Sequence, residues 1–165
     1  MTVATSTVEP REFRTALGRF ASGVIVMTAT SPQGDVRGMT ASSFLSVSLD
    51  PPLVLVSVDR RTRMHDFLGP IDHYGVSVLT HDQQDVAGHF AGRSSGLEPR
   101  FVWRDGVPLV DGALAHLTCR MHDRHTAGDH TLFIGEVRTI EYGEGAPLIF
   151  FSGAFDRLTP KGALA

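Results

Sequence analysis

The 165-residue chain has little of what marks secreted, membrane-bound or nucleic-acid-binding proteins. It has one cysteine, so no disulfide can form within the chain, which suits a reducing compartment such as the cytoplasm. No apolar run approaches the roughly 20 residues of a membrane helix, and residues 1–10 lack the basic and apolar regions of a signal peptide. The net charge of −3 provides no electrostatic attraction to nucleic acid or an anionic membrane. We therefore expect a cytoplasmic protein without membrane or nucleic-acid partners.

Common motifs of nucleotide binding are also missing. The sequence has neither the G-x-G-x-x-G fingerprint of dinucleotide-binding folds nor the G-x-x-x-x-G-K-[ST] loop of phosphate-binding folds. Three histidines, His122, His125 and His130, stand near Asp123 and Asp129, but their spacing matches no common zinc pattern. We therefore predict no metal site.

Hydrophobic periodicity predicts a single domain at residues 9–160, preceded by a flexible tail at 1–8. Helical spacing predicts short helices at 9–20, 62–69 and 82–92, the last capped by Asp82, and the pattern is lost in a loop at 93–106. The continuous Leu and Val run at 53–59 predicts a strand buried on both faces. The expected total is six or seven strands, which favour an antiparallel barrel and lie at 24–30, 36–50, 53–59, 73–80, 113–125, 130–142 and 147–155.

The stretch GMTASSFLSVSLDPPLVLVSVD, residues 38–59, places many hydroxyls among residues typical of buried strands. One explanation is an antiparallel sheet whose alternate positions face solvent. The other is a ligand site, in which small residues let backbone N–H groups approach the ligand and hydroxyls add hydrogen bonds. Composition leaves both explanations open for Thr40, Ser42, Ser43, Ser46, Ser48 and Ser57.

The same stretch strongly resembles the flavin-binding segment of the flavin reductase family, the short-chain partners of two-component flavin-dependent monooxygenases. The likeness continues through VLTHDQQDVAGHFAG, GALAHLTCRMHDRHTAGDHTLFIGEV and PLIFFSGAF, and it extends from about Phe13 to Leu158. The order and spacing of these segments make the resemblance specific. The version HDRHTAGDHTLFIGEV is most similar to reductases that serve actinobacterial natural-product pathways.

The resemblance implies a mainly β fold, a six-stranded antiparallel split barrel of Greek-key type with short inserted helices. It also implies a homodimer with flavin near the subunit interface. The implied reaction is hydride transfer from NADH to N5 of FMN or FAD, with NADPH left open as a donor, and delivery of reduced flavin to a partner monooxygenase. Two alternatives are a split-barrel oxidase or oxygenase that acts directly on a small molecule, and a non-catalytic flavin-binding module.

The resemblance also carries over site residues. His130, in the triplet GDH, is expected where the nicotinamide approaches, where it orients NADH or supplies a proton. Arg93 is expected to contact the flavin phosphates. The alternatives from the residues themselves are core packing for Phe90, a capped turn at 59–63 and a loop-holding hydrogen bond for His130. The remaining expected flavin-binding residues are Met39, Thr40, Ala41, Ser42, Ser43, Ser57, Val58, Asp59, Thr62, Phe90, Ser94 and Phe155.

Overall fold

The computed structural model describes residues 7–93 and 96–158, and within them it contains three α-helices, one 3-10 helix and twelve strands. The helices are α1 (Pro10–Gly18), α2 (Arg63–Leu68) and α3 (Gln84–Phe90), with the 3-10 helix at His81–Gln83. No helix in the described ranges is long and apolar enough to cross a membrane. The strands are β1 (Ser22–Gly23), β2 (Ile25–Thr30), β3 (Val36–Ala41), β4 (Phe44–Leu49), β5 (Pro52–Asp59), β6 (His73–Val78), β7 (Phe101–Arg104), β8 (Val107–Val110), β9 (Ala115–Ala127), β10 (His130–Tyr142), β11 (Leu148–Phe151) and β12 (Ala154–Arg157).

Seven antiparallel strands form the main sheet, in the order β3-β2-β6-β9-β10-β5-β4. Its two edge strands, β3 and β4, are separated in the sequence only by Ser42 and Ser43. A flat sheet of this width would measure roughly 29 Å across, at about 4.8 Å between neighbouring strands. Two residues cannot span that distance, so the sheet is rolled and its edges approach each other at Ser42 and Ser43. The predicted mainly β antiparallel fold is confirmed, with seven strands in its main sheet.

The inner face of this rolled sheet holds the larger core, built around Tyr74 and Phe133. Along β5, Val54, Val56 and Val58 are buried, whereas the residues between them are half-buried. The prediction that the run 53–59 is buried on both faces is therefore wrong. Strand residues alternate between faces, and within the described residues the outer face of β5 is only partly covered.

The predicted N-terminal helix is confirmed as α1, with Pro10 at its first turn, where the missing N–H costs little. Its apolar side, however, is not buried by the chain. Phe13, Leu17 and Phe20 are 57%, 52% and 78% exposed, although their spacing is that of a core-facing helix. The helical spacing therefore predicts α1 correctly, but no described element packs over its apolar side closely enough to bury it.

Two tight turns correct the sequence prediction. The predicted loop at 93–106 is wrong in its last part, because β7 and β8 form a hairpin through Asp105 and Gly106. Both turn residues have positive φ, 52° and 76°, as a two-residue hairpin with an Asp-Gly turn requires. Likewise, the single strand predicted at 147–155 is two strands, β11 and β12, that turn at Ser152 and Gly153.

The start of the third helix is also shifted. Asp82, the predicted cap, lies inside the 3-10 helix, and Thr80 is the residue that precedes it. The Thr80 N–H donates to Gln83 Oε1 at 3.1 Å, which satisfies a donor at this helix start. The predicted tail at 1–8 and the domain end at 160 both reach beyond the described residues.

Candidate functional site

Two adjoining openings run along β3, an edge strand of the main sheet. Within the described residues β3 pairs only with β2, so polar backbone groups on its outer side have no strand partner. The larger opening, which we call the edge groove, has a volume of about 700 Å³. The second, which we call the small pocket, has a volume of about 270 Å³. Thr40 and Ala91 line both, so the two openings adjoin at these residues.

The edge groove lies between the start of α2 and the end of α3, with β3 as its floor. The C-terminal end of α3 continues into Ala91 and Gly92, which close one side. The groove is lined by Val36, Arg37, Gly38, Met39, Thr40, Thr62, Arg63, Met64, His89, Phe90, Ala91 and Gly92.

The small pocket combines the end of β3 with two aromatic rings of the hairpin β11–β12. The Phe150 and Phe155 rings meet edge to face, with centroids 5.8 Å apart. The Arg93 guanidinium carbon lies 5.6 Å from the centre of the Phe155 ring, so this cation is held at the pocket wall. The pocket is lined by Val24, Thr40, Ala41, Ser42, Ala91, Arg93, Phe150, Gly153 and Phe155.

Phe90 reaches β3 only because residue 38 is glycine. A Cβ atom at Gly38 would lie 2.5 Å and 2.6 Å from two carbons of the Phe90 ring. The ring also packs edge to face on His89 and tilted on Phe101, with centroids 4.9 Å and 6.2 Å away. Phe90 therefore both packs against the core and lines the edge groove. Core packing and a place in the groove wall, the two hypotheses for this residue, are thus compatible.

Hydroxyls of the serine- and threonine-rich stretch bond the backbone around the openings. Thr40 Oγ1 donates to the Ala87 carbonyl at 2.7 Å and so ties α3 to β3. Ser43 Oγ donates to the Ser57 carbonyl at 2.8 Å, and the Ser57 N–H donates to the Ser43 carbonyl. Thr40 thus fixes a wall that both openings share, and Ser43 fixes the turn between β3 and β4 just outside them.

The start of α2 is fixed in two ways. Thr62 is its N-cap, and Thr62 Oγ1 accepts a hydrogen bond from the His65 N–H at 3.2 Å. The His65 ring then bonds across to β10, with Nε2 2.8 Å from Thr131 Oγ1. Because Thr131 follows His130 in the chain, this contact ties the α2 wall of the edge groove to the strand that carries His130.

A charged cluster surrounds His130. His130 and Asp59 are cross-strand neighbours on β10 and β5, and His130 Nδ1 lies 2.7 Å from Asp129 Oδ1. Asp59 accepts hydrogen bonds from the Arg61 side chain and backbone N–H, which hold the pKa of its carboxyl well below its usual range. The hydrogen bond with His130 likewise lowers the pKa of Asp129. The His130 side chain is 40% exposed, so a ligand can reach it from solvent.

The ionisable side chains among the described residues that line the two openings are all basic. Arg37, Arg63 and His89 line the edge groove, and Arg93 lines the small pocket, whereas no Asp or Glu lines either. The Arg37 guanidinium carbon lies 5.5 Å from the centre of the Phe67 ring. This arrangement favours a ligand that combines a flat apolar part with negatively charged groups.

Other catalytic chemistries find little support in the described residues. Among them, no group of three or more His, Cys, Asp or Glu is placed to hold a metal ion. Cys119 is fully buried against Tyr74, and burial raises the pKa of its thiol to about 12. A thiol that stays protonated and inaccessible does not act as a nucleophile.

The structure brings most of the predicted site residues together. Met39, Thr40, Thr62 and Phe90 line the edge groove, and Ala41, Ser42, Arg93 and Phe155 complete the small pocket with Thr40. Outside both openings lie Ser43, Ser57, Val58, Asp59 and His130, and the Val58 side chain is fully buried in the core. Ser94 lies outside the described residues.

Sequence reasoning missed several residues that line the openings. Arg37 directly precedes the stretch 38–59. A basic residue within a predicted strand is the sequence signal that could have identified it. His89 stands next to Phe90, but its role depends on the packing of α3 against β3. The others, whose positions depend on tertiary contacts, are Val24, Val36, Gly38, Arg63, Met64, Ala91, Gly92, Phe150 and Gly153.

Comparisons with known proteins agree on one family. Residues 17–159 match the flavin reductase like domain. An NADH-dependent flavin reductase from a Rhodococcus species is 50% identical over 156 residues, covering 92% of this chain and 88% of that protein. The reductase component of 4-hydroxyphenylacetate 3-monooxygenase from Thermus thermophilus is 41% identical, with 88% and 95% covered. The native structure of flavin reductase PheA2 superposes with a TM-score of 0.89 at 42% identity, covering 93% of this chain and 100% of that chain. The chain belongs to the flavin reductase like domain family.

Proposed function

We propose that the chain is an NADH-dependent flavin reductase that supplies reduced flavin to a partner monooxygenase. Relatives that match about nine tenths of this chain carry the names of NADH-dependent flavin reductases and of monooxygenase reductase components. The NADH-dependent flavin reductase activity predicted from the sequence is confirmed by these relatives. We further propose that FMN or FAD is the flavin and that NADH is the donor, with NADPH as the alternative to be tested.

The observation that carries the proposal is the pair of adjoining openings along the unpaired edge of β3. A flavin has a flat ring with polar edges, a hydroxylated chain and a phosphate end. The small pocket provides aromatic walls and the Arg93 cation, and the outer edge of β3 provides backbone donors and acceptors for the polar edges of the ring. The residues present therefore fit the ring in the small pocket and the phosphate end in the edge groove.

When bound together, the nicotinamide and the flavin supply the chemistry, which is hydride transfer to flavin N5. The chain aligns the two rings and excludes water from one side. We propose that His130 Nδ1–H donates a hydrogen bond to the Asp129 carboxylate and so orients the ring. Nε2 is then left to contact the nicotinamide or, in the imidazolium form, to deliver a proton. Backbone N–H groups of β3 stabilise negative charge that develops on the reduced ring.

We also propose that the rolled sheet is a split barrel and that two copies form a homodimer. Large apolar side chains that the described residues leave exposed support this: Phe13 and Leu17 on α1, Phe20 just after it, and Leu45, Val47 and Leu49 on β4. The single buried thiol is compatible with the cytoplasm, which we propose as the compartment.

The site assignment is tested by filling the small pocket. Ser42→Phe places a ring in the opening, whereas Gln33→Phe adds the same ring to an exposed turn outside both openings. We expect Ser42→Phe to lower flavin affinity at least tenfold, with both variants unfolding within about 3 °C of wild type, as for surface substitutions. Equal flavin affinity in the two variants would place the flavin elsewhere. Bound flavin without NADH turnover would instead favour a non-catalytic module or an oxidase.

A further inference from the structure

The His65 side chain, in the first turn of α2, contacts the inner face of β10. Its Nε2 lies 2.8 Å from Thr131 Oγ1, and its ring packs edge to face on Phe133, with centroids 5.7 Å apart. Thr131 and Phe133 are both buried, because residues two apart in a strand share a face. A single side chain of α2 is therefore joined to β10 by a hydrogen bond and by a ring contact.

These contacts are made where β10 begins and where the chain is open to solvent. His130 is the first residue of β10, and residues 127–129, which precede it, are all exposed. The Arg60 N–H donates to the Asp129 carbonyl at 2.9 Å and holds this turn from the side of β5. The hydrogen bond on the inner face, one residue after His130, is a second anchor for the same strand end.

His130 depends on this anchor although it faces the other way. Side chains alternate between the two faces of a strand, and β10 follows this rule from its first residue, with His130 partly exposed and Thr131 buried. The placement of Thr131 on the inner face therefore sets the direction in which His130 projects outward. Loss of the inner anchor would let the strand end shift, and a displacement of about 1 Å can lower a reaction rate by about a hundredfold.

We propose that His65 is a positioning residue for His130 and acts through its hydrogen bond to Thr131. This role rests on the proposed function, because His130 needs exact placement only if the chain transfers hydride from NADH. Neither His65 nor Thr131 lines the edge groove or the small pocket, so the effect reaches the reaction through β10 and not through contact with the flavin.

The first pair of variants removes one hydroxyl at each of two places on β10. Thr131→Val keeps the shape of the side chain and loses the bond to His65. The matched control is Thr139→Val, which loses a bond of 2.6 Å to Thr118 and lies roughly 26 Å further along the strand. At saturating flavin, we expect Thr131→Val to lower kcat/KM for NADH at least fivefold and Thr139→Val to leave it within twofold. Flavin dissociation constants should stay within threefold in both.

The second pair of variants tests which ring nitrogen of His65 is needed. Nε2 bonds Thr131, whereas Nδ1 is buried without a hydrogen-bond partner among the described residues. Glutamine places its terminal amide as many bonds from Cα as histidine Nε2, and asparagine as many as Nδ1. Both His65→Gln and His65→Asn lose the ring contact with Phe133, but only glutamine can keep the bond to Thr131. We expect kcat/KM for NADH within threefold of wild type in His65→Gln and at least fivefold lower in His65→Asn.

A combination with His130→Gln separates positioning from a general loss of structure. If Thr131 acts through His130, Thr131→Val should lower kcat/KM by less than twofold once His130 is already replaced. An equal loss with and without His130 would overturn the proposal, because the bond would then support the fold alone.

Two other results would also overturn it. Wild-type kcat/KM in Thr131→Val would exclude the anchor, and a loss of flavin affinity without a change in kcat/KM would assign the bond to the α2 wall of the edge groove. Failure of the proposed function gives a different result, because wild type itself would then oxidise no NADH with either flavin.

Discussion

Replacing Gly38 by alanine tests whether the contact between β3 and α3 shapes the edge groove. The added Cβ would lie 2.5 Å from the nearest Phe90 ring carbon and 3.3 Å from Thr28 Cγ2, both closer than carbon atoms normally pack. Phe90 must therefore move away from β3. Inserting a methyl group into a packed site typically costs about 1–3 kcal/mol, and each kcal/mol lowers the Tm of a domain of this size by roughly 2–4 °C. Because Phe90 is also a wall of the groove, we expect flavin affinity to fall together with stability.

Thermal unfolding and flavin titration of the same samples measure both effects. Gly23→Ala is the matched control, because nothing lies within 4 Å of the position of its added Cβ, and it should stay within about 0.5 kcal/mol of wild type. In a Phe90→Leu background, Gly38→Ala should cost less than it does alone, because the smaller side chain leaves room for the methyl group. A Gly38→Ala variant with wild-type stability and flavin affinity would refute the reasoning.

Three further changes test other parts of the structure. Gly135→Ala should lower the free energy of unfolding in urea by about 3 kcal/mol, because its Cβ would lie 2.1 Å from Tyr74 Oη. Adding Tyr74→Phe should recover part of that stability, whereas additive effects of the two substitutions would contradict this contact. Hydrogen bonds from Arg61 hold the Asp59 pKa below its ordinary value of 3.8, so their stabilisation exists above that pH and is lost as pH falls. Arg61→Gln should accordingly have a lower free energy of unfolding than wild type at pH 6, and this difference should be smaller at pH 3. An equal difference at both pH values would exclude a coupling between Asp59 protonation and stability. His130→Gln should lower kcat/KM for NADH at least tenfold with the flavin dissociation constant within twofold, and unchanged turnover would remove His130 from the reaction.

Most strands and the three helices were predictable from the sequence, because hydrophobic periodicity, Pro and Gly are local signals. β-branched runs and Pro-bounded segments identified β2, β5, β6 and β10 within a few residues. The hairpin of β7 and β8 was not predicted, for a different reason. Asp105 and Gly106 are a local hairpin signal, but they stand in a stretch whose apolar alternation is too short to be recognised as strands.

The site was only partly predictable, because it is assembled from separate segments. The stretch around Thr40 and Ser42 was found through its unusual composition and family likeness. Arg37, Gly38 and His89 escaped notice, since their roles depend on how α2 and α3 pack against an unpaired strand edge. Periodicity reports which side of an element is buried, and it does not report which element covers it.

The hydroxyl-rich stretch also shows why a single explanation was insufficient. Thr40 and Ser43 use their hydroxyls to bond the backbone of α3 and β5, whereas Ser42 is exposed in the small pocket. Residues that bond the backbone through their hydroxyls and a residue that lines the small pocket therefore alternate within this short stretch.

The most direct test of the central claim is the rate of NADH oxidation by the purified chain, followed by absorbance over a range of FMN and FAD concentrations. A flavin reductase requires added flavin, and its rate saturates as the flavin concentration rises. An NADH oxidation rate that stays at the background value with either flavin, despite measurable flavin binding, would contradict the account.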